Sequence, residues 1–433
     1  MVREKKLPSF CVGNGKIILP HTVLPSGTVV VREGVIRAVL PKSGKESLPP
    51  DLPFIDVEGN YISPGLVELH IHGCGPYGFE VAGPEALKNA ARFLASRGVS
   101  LFVPTIQPDV QVVSALGAAL RDLQNGRSGS YEKKEVPLSA YAPGLYVEGP
   151  FINPEKRGGI LPGLVRHPDP ALLNELCTSS RDTILLMTVA PEVENAESLI
   201  PVMLEKGIVP CLGHSDASVA ETEGFMTALQ RESQETEPRQ KKDGGRENRT
   251  APVSITHLFN AMAPISHKRS GLAMVPFVNS DRELFVEING DGVHLNDDML
   301  RFCYHNLDHD NIILISDAVI SAGDEELQNS EGALTYFGKP VVSDKEGVRY
   351  RESGTLIGSN RLIPDVVNHF LEVTGAPLYD AVRFAALNPC RVLGLDHVRG
   401  SLEPGKLADI VVFDADMKVI PEFCVPLSPV HTF

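Results

Sequence analysis

Eight short apolar runs recur along the middle of this chain. Their alternation with helix-like segments limits the possible folds more than any other feature. The runs read GLVELHIH (65–72), VSLFVPTI (99–106), APGLYVEGP (142–150), TILLMTVAPE (183–192), GIVPCLGHSD (207–216), VSITHLFNA (253–261), ELFVEINGDGVH (283–294) and NIILISDA (311–318). Several are separated by amphipathic stretches of helical character, such as GPEALKNAARFLASRG and NAESLIPVMLEKG. Near-continuous apolar strands alternating with helices indicate parallel strands covered on both sides. Eight such units are what a closed (β/α)8, TIM-like barrel requires. The expected fold class is therefore α/β, with the barrel over residues 63–398.

The flanks read differently. GKIILP, GTVVVREGVIRAVLP and FIDVEGNYISPG alternate apolar and polar residues between glycine and proline turns. The same pattern returns in GSLEPGKLADIVVFDADMKVIPEF. Residues 1–62 and 399–433 are thus expected to pair into one small β-sandwich domain. One stretch, 230–250 (QRESQETEPRQKKDGGRENRT), is charged and lacks hydrophobic periodicity. It is expected to be an exposed insertion.

Six of the eight barrel runs deliver a His, Glu or Asp at their ends. The first stops at His70 and His72, the third at Glu148, the fifth at His214 and the sixth at His257. The seventh leads to Asp291 and His294, and the eighth stops at Asp317. A single strand-end histidine is ordinarily structural. Barrel enzymes, however, gather their reactive groups at the C-terminal ends of the strands. His, Glu and Asp together form the ligand set of hydrolytic divalent-metal sites. Alternation along an extended strand would also turn His70 and His72 to the same side.

Other classes are disfavoured. The formal net charge is −15, and nucleic-acid binding needs a basic face. No run is long enough to span a membrane, and the N-terminus has no signal-like apolar core. Seven scattered cysteines without a Cys-x-x-Cys pair argue against a disulfide scaffold. A cytoplasmic location is expected. GCGPYG (73–78) matches the dinucleotide fingerprint, but Pro76 and a delayed helix make a glycine-rich substrate loop the better reading.

The segments SPGLVELHIHG, GLYVEGPFINPEKRGG, TVAPE, GHSDAS, THLFNAM, DGVH, SDAV and NPCRVLGL…GSLEPGKLADIVVFDAD occur in that order. Together they resemble the N-acetylglucosamine-6-phosphate deacetylases, a branch of the amidohydrolase superfamily. The resemblance implies removal of the acetyl group from an amino-sugar phosphate with the help of one or two divalent ions. Zinc, iron, manganese and cobalt are not distinguished. It implies Glu148, His214 and His257 as metal ligands, with His70 and His72 as the ligands of the second ion in the case where two are held. Asp317 would be the catalytic acid–base, and His294 would contact the substrate and polarise its carbonyl. Asn260 and Ala261 would contact the sugar phosphate.

Two positions depart from the family pattern. Counting back from Gly271 places Lys268 where the family has its phosphate-binding arginine, with Arg269 beside it. Ile160 stands where many members carry a histidine, and His167 is the nearest replacement. The resemblance also implies a homodimer, while the charge and the lack of a spanning run leave no nucleic-acid or membrane partner expected. The alternatives are an N-acetylgalactosamine-6-phosphate deacetylase, a cyclic-amide or dipeptide amidohydrolase, and a metal-free binding relative.

Overall fold

The structure is a computed structural model that describes residues 8–41, 48–128, 139–236, 251–279, 283–330 and 334–420. Five strands come first: β1 (Phe10–Leu19), β2 (Thr22–Arg32), β3 (Val35–Pro41), β4 (Phe54–Asp56) and β5 (Tyr61–Pro64). Eight more form one parallel sheet: β6 (Leu66–Ile71), β7 (Val99–Ile106), β8 (Leu145–Val147), β9 (Ile184–Val189), β10 (Val209–Leu212), β11 (Val253–Ile255), β12 (Leu284–Asn289) and β13 (Ile312–Ile315). Every one of the eight apolar runs contributes one of these strands.

The sheet runs in sequence order and rolls into a barrel. Its seam joins the last strand to the first. Asp317 N donates to His70 O (3.0 Å), His72 N donates to Ala318 O (2.8 Å), and Ile71 bridges Ala318 in parallel. Helices such as Pro84–Ala95, Pro170–Ser179 and Ile363–Thr374 cover the outside and bury their apolar faces against it. The lumen is filled by Leu69, Leu101, Tyr146, Leu186, Phe285 and Ile313, all buried. It is a packed core, so chemistry is confined to the rim.

The two chain ends meet in one sheet. Strand β18 (Ile410–Phe413) pairs antiparallel with β5, and β5 pairs with β1, which also carries β2 and β4. Phe10, Val12, Val29, Val31, Ile62, Ile410 and Val412 form a separate buried cluster there. Residues 421–433 lie outside the described residues.

An element absent from the sequence reading follows β13. Strands β14 (Thr335–Tyr336), β15 (Lys339–Asp344), β16 (Gly347–Tyr350) and β17 (Leu356–Gly358) form an antiparallel sheet. Its apolar side packs on Val319, just beyond Asp317. The expected insertion at 230–250 needs correction at its start. Gln230–Thr236 continue the helix Val219–Thr236. This stretch lacks apolar periodicity but contains good helix formers such as Gln, Arg and Glu, so an established helix can propagate through it. The remainder, 237–250, lies outside the described residues.

Candidate metal and catalytic centre

Glu148 immediately follows β8 and is buried, 6% exposed. Its Oε1 lies 2.8 Å from His214 Nε2 and 3.0 Å from His257 Nε2, while its Oε2 lies 3.5 Å from His72 Nε2. Asp317 stands opposite. Its Oδ1 is 3.7 Å from His70 Nε2 and 3.6 Å from His72 Nε2, and its Oδ2 is 3.4 Å from His294 Nε2. The strand β6 has register irregularities at Leu66/Val67 and between Glu68 and Ile71, yet both histidines reach the rim, with ring centroids 5.5 Å apart.

The backbone at this rim is unusual. His214, His257, Phe259, Ala261 and Asp317 all have positive φ, at 48°, 28°, 75°, 51° and 52°. Left-handed backbone at non-glycine residues costs of order 1–3 kcal/mol each and persists where surrounding contacts over-determine it. Gly158, with φ of 55°, lies against His214. An added Cβ would meet its Cε1 at 3.4 Å. The family-like KRGG turn thus keeps its glycine where the loop passes close to a candidate ligand.

The donor set fits a divalent ion. His214 donates from Nδ1 to the Lys156 carbonyl (2.8 Å), so whenever that ring is neutral its Nε2 faces Glu148 as a bare lone pair. His214 Nε2 and His257 Nε2 are 3.1 Å apart. Two lone pairs and a carboxylate oxygen in such proximity need a cation or a proton among them. His70 Nε2 is buried without a hydrogen-bond partner. Two groups of side chains could hold a metal ion, His70/Glu148/His257 and His70/His72/Asp317, and His70 belongs to both.

Electrostatics follow from that crowding. Burial acts to raise Glu148, but the charge of His214 and hydrogen bonds from His214, His257 and His72 hold its carboxyl well below the usual range. Burial likewise opposes ionisation of Asp317, and the His70, His294 and His72 charges outweigh it, lowering its pKa. His72 is pushed up to about 9: burial acts against its charge, but Glu148, Glu80 and Asp317 prevail.

His294 is fixed from behind. Its Nδ1 lies 2.8 Å from Asp291 Oδ2, and Asp291 Oδ1 accepts from the His294 and Val293 amides. Burial would lower the His294 pKa. The charge and hydrogen bond of Asp291, with Asp317 beyond, raise it above the ordinary range.

Asn260 follows this rim and donates from Nδ2 to Asn289 Oδ1 (3.2 Å), while Ala261 O accepts from Ser215 N (3.1 Å). Lys268 and Arg269 are exposed. Arg269 Nη2 donates to Asp216 Oδ2 at 2.8 Å, and Lys156 Nζ reaches Asp216 Oδ1 at 3.5 Å. Lys156 lies inside GLYVEGPFINPEKRGG and Glu192 ends TVAPE, but neither carries a sequence signal of its own. Glu192 accepts from Ser215 Oγ, Asp216 N and Asn153 Nδ2, fastening the His214 loop. Ile160 is buried and His167 is exposed, so the buried position has no imidazole.

A family model described as "Amidohydrolase family" matches residues 61–430. The chain belongs to the amidohydrolase family. Among its relatives is an N-acetylglucosamine-6-phosphate deacetylase of Haemophilus influenzae, 28% identical over 95% of this chain and 97% of the relative. An N-acetylgalactosamine-6-phosphate deacetylase of Escherichia coli O157:H7 is 28% identical over 90% of this chain and 91% of its own length. The crystal structure of N-acetylglucosamine-6-phosphate deacetylase from Pasteurella multocida superimposes with a TM-score of 0.78 at 25% identity, covering 95% of this chain and 97% of that one. In this amidohydrolase the side chains of His70, His72, Glu148, His214, His257, His294 and Asp317 lie together at the C-terminal rim of the barrel.

Proposed function

We propose that this amidohydrolase hydrolyses N-acetylglucosamine 6-phosphate to glucosamine 6-phosphate and acetate. The observation that carries the reading is the set of four histidine Nε2 atoms facing Glu148 and Asp317 in one buried space, with His294 beside them. The relatives at near full length, chiefly N-acetylglucosamine-6-phosphate deacetylases, support the substrate class.

Glu148, His214 and His257 would hold one divalent ion, with His70 and His72 beside Asp317 available for a second. A bound ion lowers the pKa of water toward ~7 and polarises a carbonyl oxygen. The rest of the chemistry is the chain's own. Asp317 accepts a proton from the attacking water and returns it to the nitrogen of the cleaved amide. His294, whose protonated form Asp291 favours, donates from Nε2 to the acetamide oxygen as negative charge develops there. The C–N bond breaks, and acetate and the amine leave. Arg269 and Lys156, linked through Asp216, offer positive charge for the phosphate beside the His214 loop.

We further propose a homodimer acting in the cytoplasm. No described helix is long and apolar enough to cross a membrane, and the six described cysteines are free and buried. The deciding experiment measures acetate release from the 6-phosphates of N-acetylglucosamine and N-acetylgalactosamine, with and without chelator. A higher kcat/KM on the galacto epimer would move the substrate. No acetate from either, with metal supplied, would overturn the reading.

A further inference from the structure

Glu287 occupies the lumen side of β12, is fully buried, and has no part in the chemistry above. All of its lone pairs are directed at partners from other strands. Oε2 lies 3.0 Å from His70 Nδ1 and accepts from the His257 amide at 3.4 Å. Oε1 accepts from the Tyr146 hydroxyl at 3.1 Å and from Ser254 Oγ at 3.2 Å. Tyr146 also packs its ring on His70, with centroids 4.8 Å apart, and shares a hydrogen bond with Thr256.

A carboxylate accepts only. His70 must therefore carry a proton on Nδ1, and whenever the ring is neutral its Nε2 is bare. That Nε2 is the buried atom without a hydrogen-bond partner, between Glu148 Oε1 at 3.8 Å and Asp317 Oδ1 at 3.7 Å. The contacts from Tyr146, Ser254 and the His257 amide hold the carboxylate in place, and the carboxylate in turn holds the His70 ring. We infer that Glu287 is a positioning residue that fixes the tautomer and orientation of His70, and thereby sets the affinity of the rim for its divalent ion. This rests on the metal-dependent reading of the rim. The competing account is that Glu287 only ties β6, β8, β11 and β12 together inside the barrel.

Zinc serves as the probe, and its Kd is read by competition with a chromogenic chelator. Glu287→Gln keeps the size of the side chain but loses its charge and its obligatory acceptor at His70. Its zinc Kd should weaken by about 10–100-fold, the usual effect of losing an outer-shell partner. Ser254→Ala removes a bond to the same carboxylate but none to His70, and should leave the Kd unchanged. In a His70→Ala background, Glu287→Gln should add no further loss. An equal loss in Ser254→Ala, or an additive loss in the double variant, would assign Glu287 to the scaffold alone.

Wild-type protein supplies a second readout if the Glu287→Gln variant fails to fold. Zinc-loaded and labelled with 15N-histidine, it should show His70 protonated at Nδ1. A proton on Nε2 overturns the inference. Wild type that binds no zinc overturns the metal-dependent reading itself. Wild type that binds zinc beside an unaffected Glu287→Gln overturns only the role of Glu287.

Discussion

His214 Nε2 and His257 Nε2 stand 3.1 Å apart, and Glu148 Oε1 lies within 3.0 Å of both. With His214 Nδ1 committed to the Lys156 carbonyl, a neutral His214 presents a lone pair here, and the contact is satisfied only by a proton on His257 Nε2 or by a cation held among the three groups. Chelator should therefore do two things. It should abolish acetate release, and it should lower Tm, because an ion present at 100 times its Kd stabilises the fold by about 2.7 kcal/mol. Restoring zinc or manganese should recover both. His257→Ala should leave less bound metal per chain by elemental analysis.

Asp317 faces the same space from the far side but does not contact the His214–His257 pair in the way Glu148 does. Asp317→Asn keeps the shape and loses the base. We expect kcat to fall by about 10²–10⁴-fold, the usual contribution of a positioned acid–base. Metal bound with Glu148, His214 and His257 should be retained. Equal loss of metal and activity would make Asp317 chiefly a ligand.

The Arg269–Asp216–Lys156 chain offers a test of phosphate recognition. Arg269→Ala should raise KM for N-acetylglucosamine 6-phosphate about tenfold, as expected when a hydrogen bond to a charged group worth about 1.5 kcal/mol is lost. KM for unphosphorylated N-acetylglucosamine should not move. Lys268→Ala serves as the comparison, since no ion pair of Lys268 is found among the described residues. A larger effect from Lys268 would reverse the assignment.

Acid stability should depend on Asp310, far from the rim. Burial acts to raise its pKa, but Arg391 and Arg383 hold it below the usual value. It lies 2.8 Å from Arg383 Nη1, which also contacts His21 in the turn between β1 and β2. A lowered folded pKa contributes stability above the unfolded value of about 3.9, and that stability is lost as pH falls through the folded value. Asp310→Asn should thus melt below wild type at pH 6. The gap should narrow as pH falls below about 4, followed by thermal melts across that range.

The sequence disclosed the barrel because parallel strands buried on both faces must be apolar throughout, and eight such runs are hard to mistake. The rim was legible for a related reason: Glu148, His214, His257 and Asp317 each end or follow a run. Glu287 was not, because a glutamate inside FVEIN looks like a break in an apolar strand. Its partner His70 lies 217 residues away, and no local pattern reports such a contact. The β14–β17 sheet was also missed. Its strands are short, and its order depends on Val341 and Val348 packing against Val319 rather than on their own periodicity. The helical character of Gln230–Thr236 was masked by polarity, since a solvated helix end need not show an apolar stripe.

The barrel seam, where Asp317 N meets His70 O, has a consequence for how the protein matures. The histidine pair leaves the ribosome early, and the aspartate that faces it leaves only after seven more strands have been made. A nascent chain ending before β13 therefore lacks both the closing strand of the barrel and Asp317, the proton carrier proposed above. Only when the closing strand is in place do Glu148 and Asp317 face one another across the histidines.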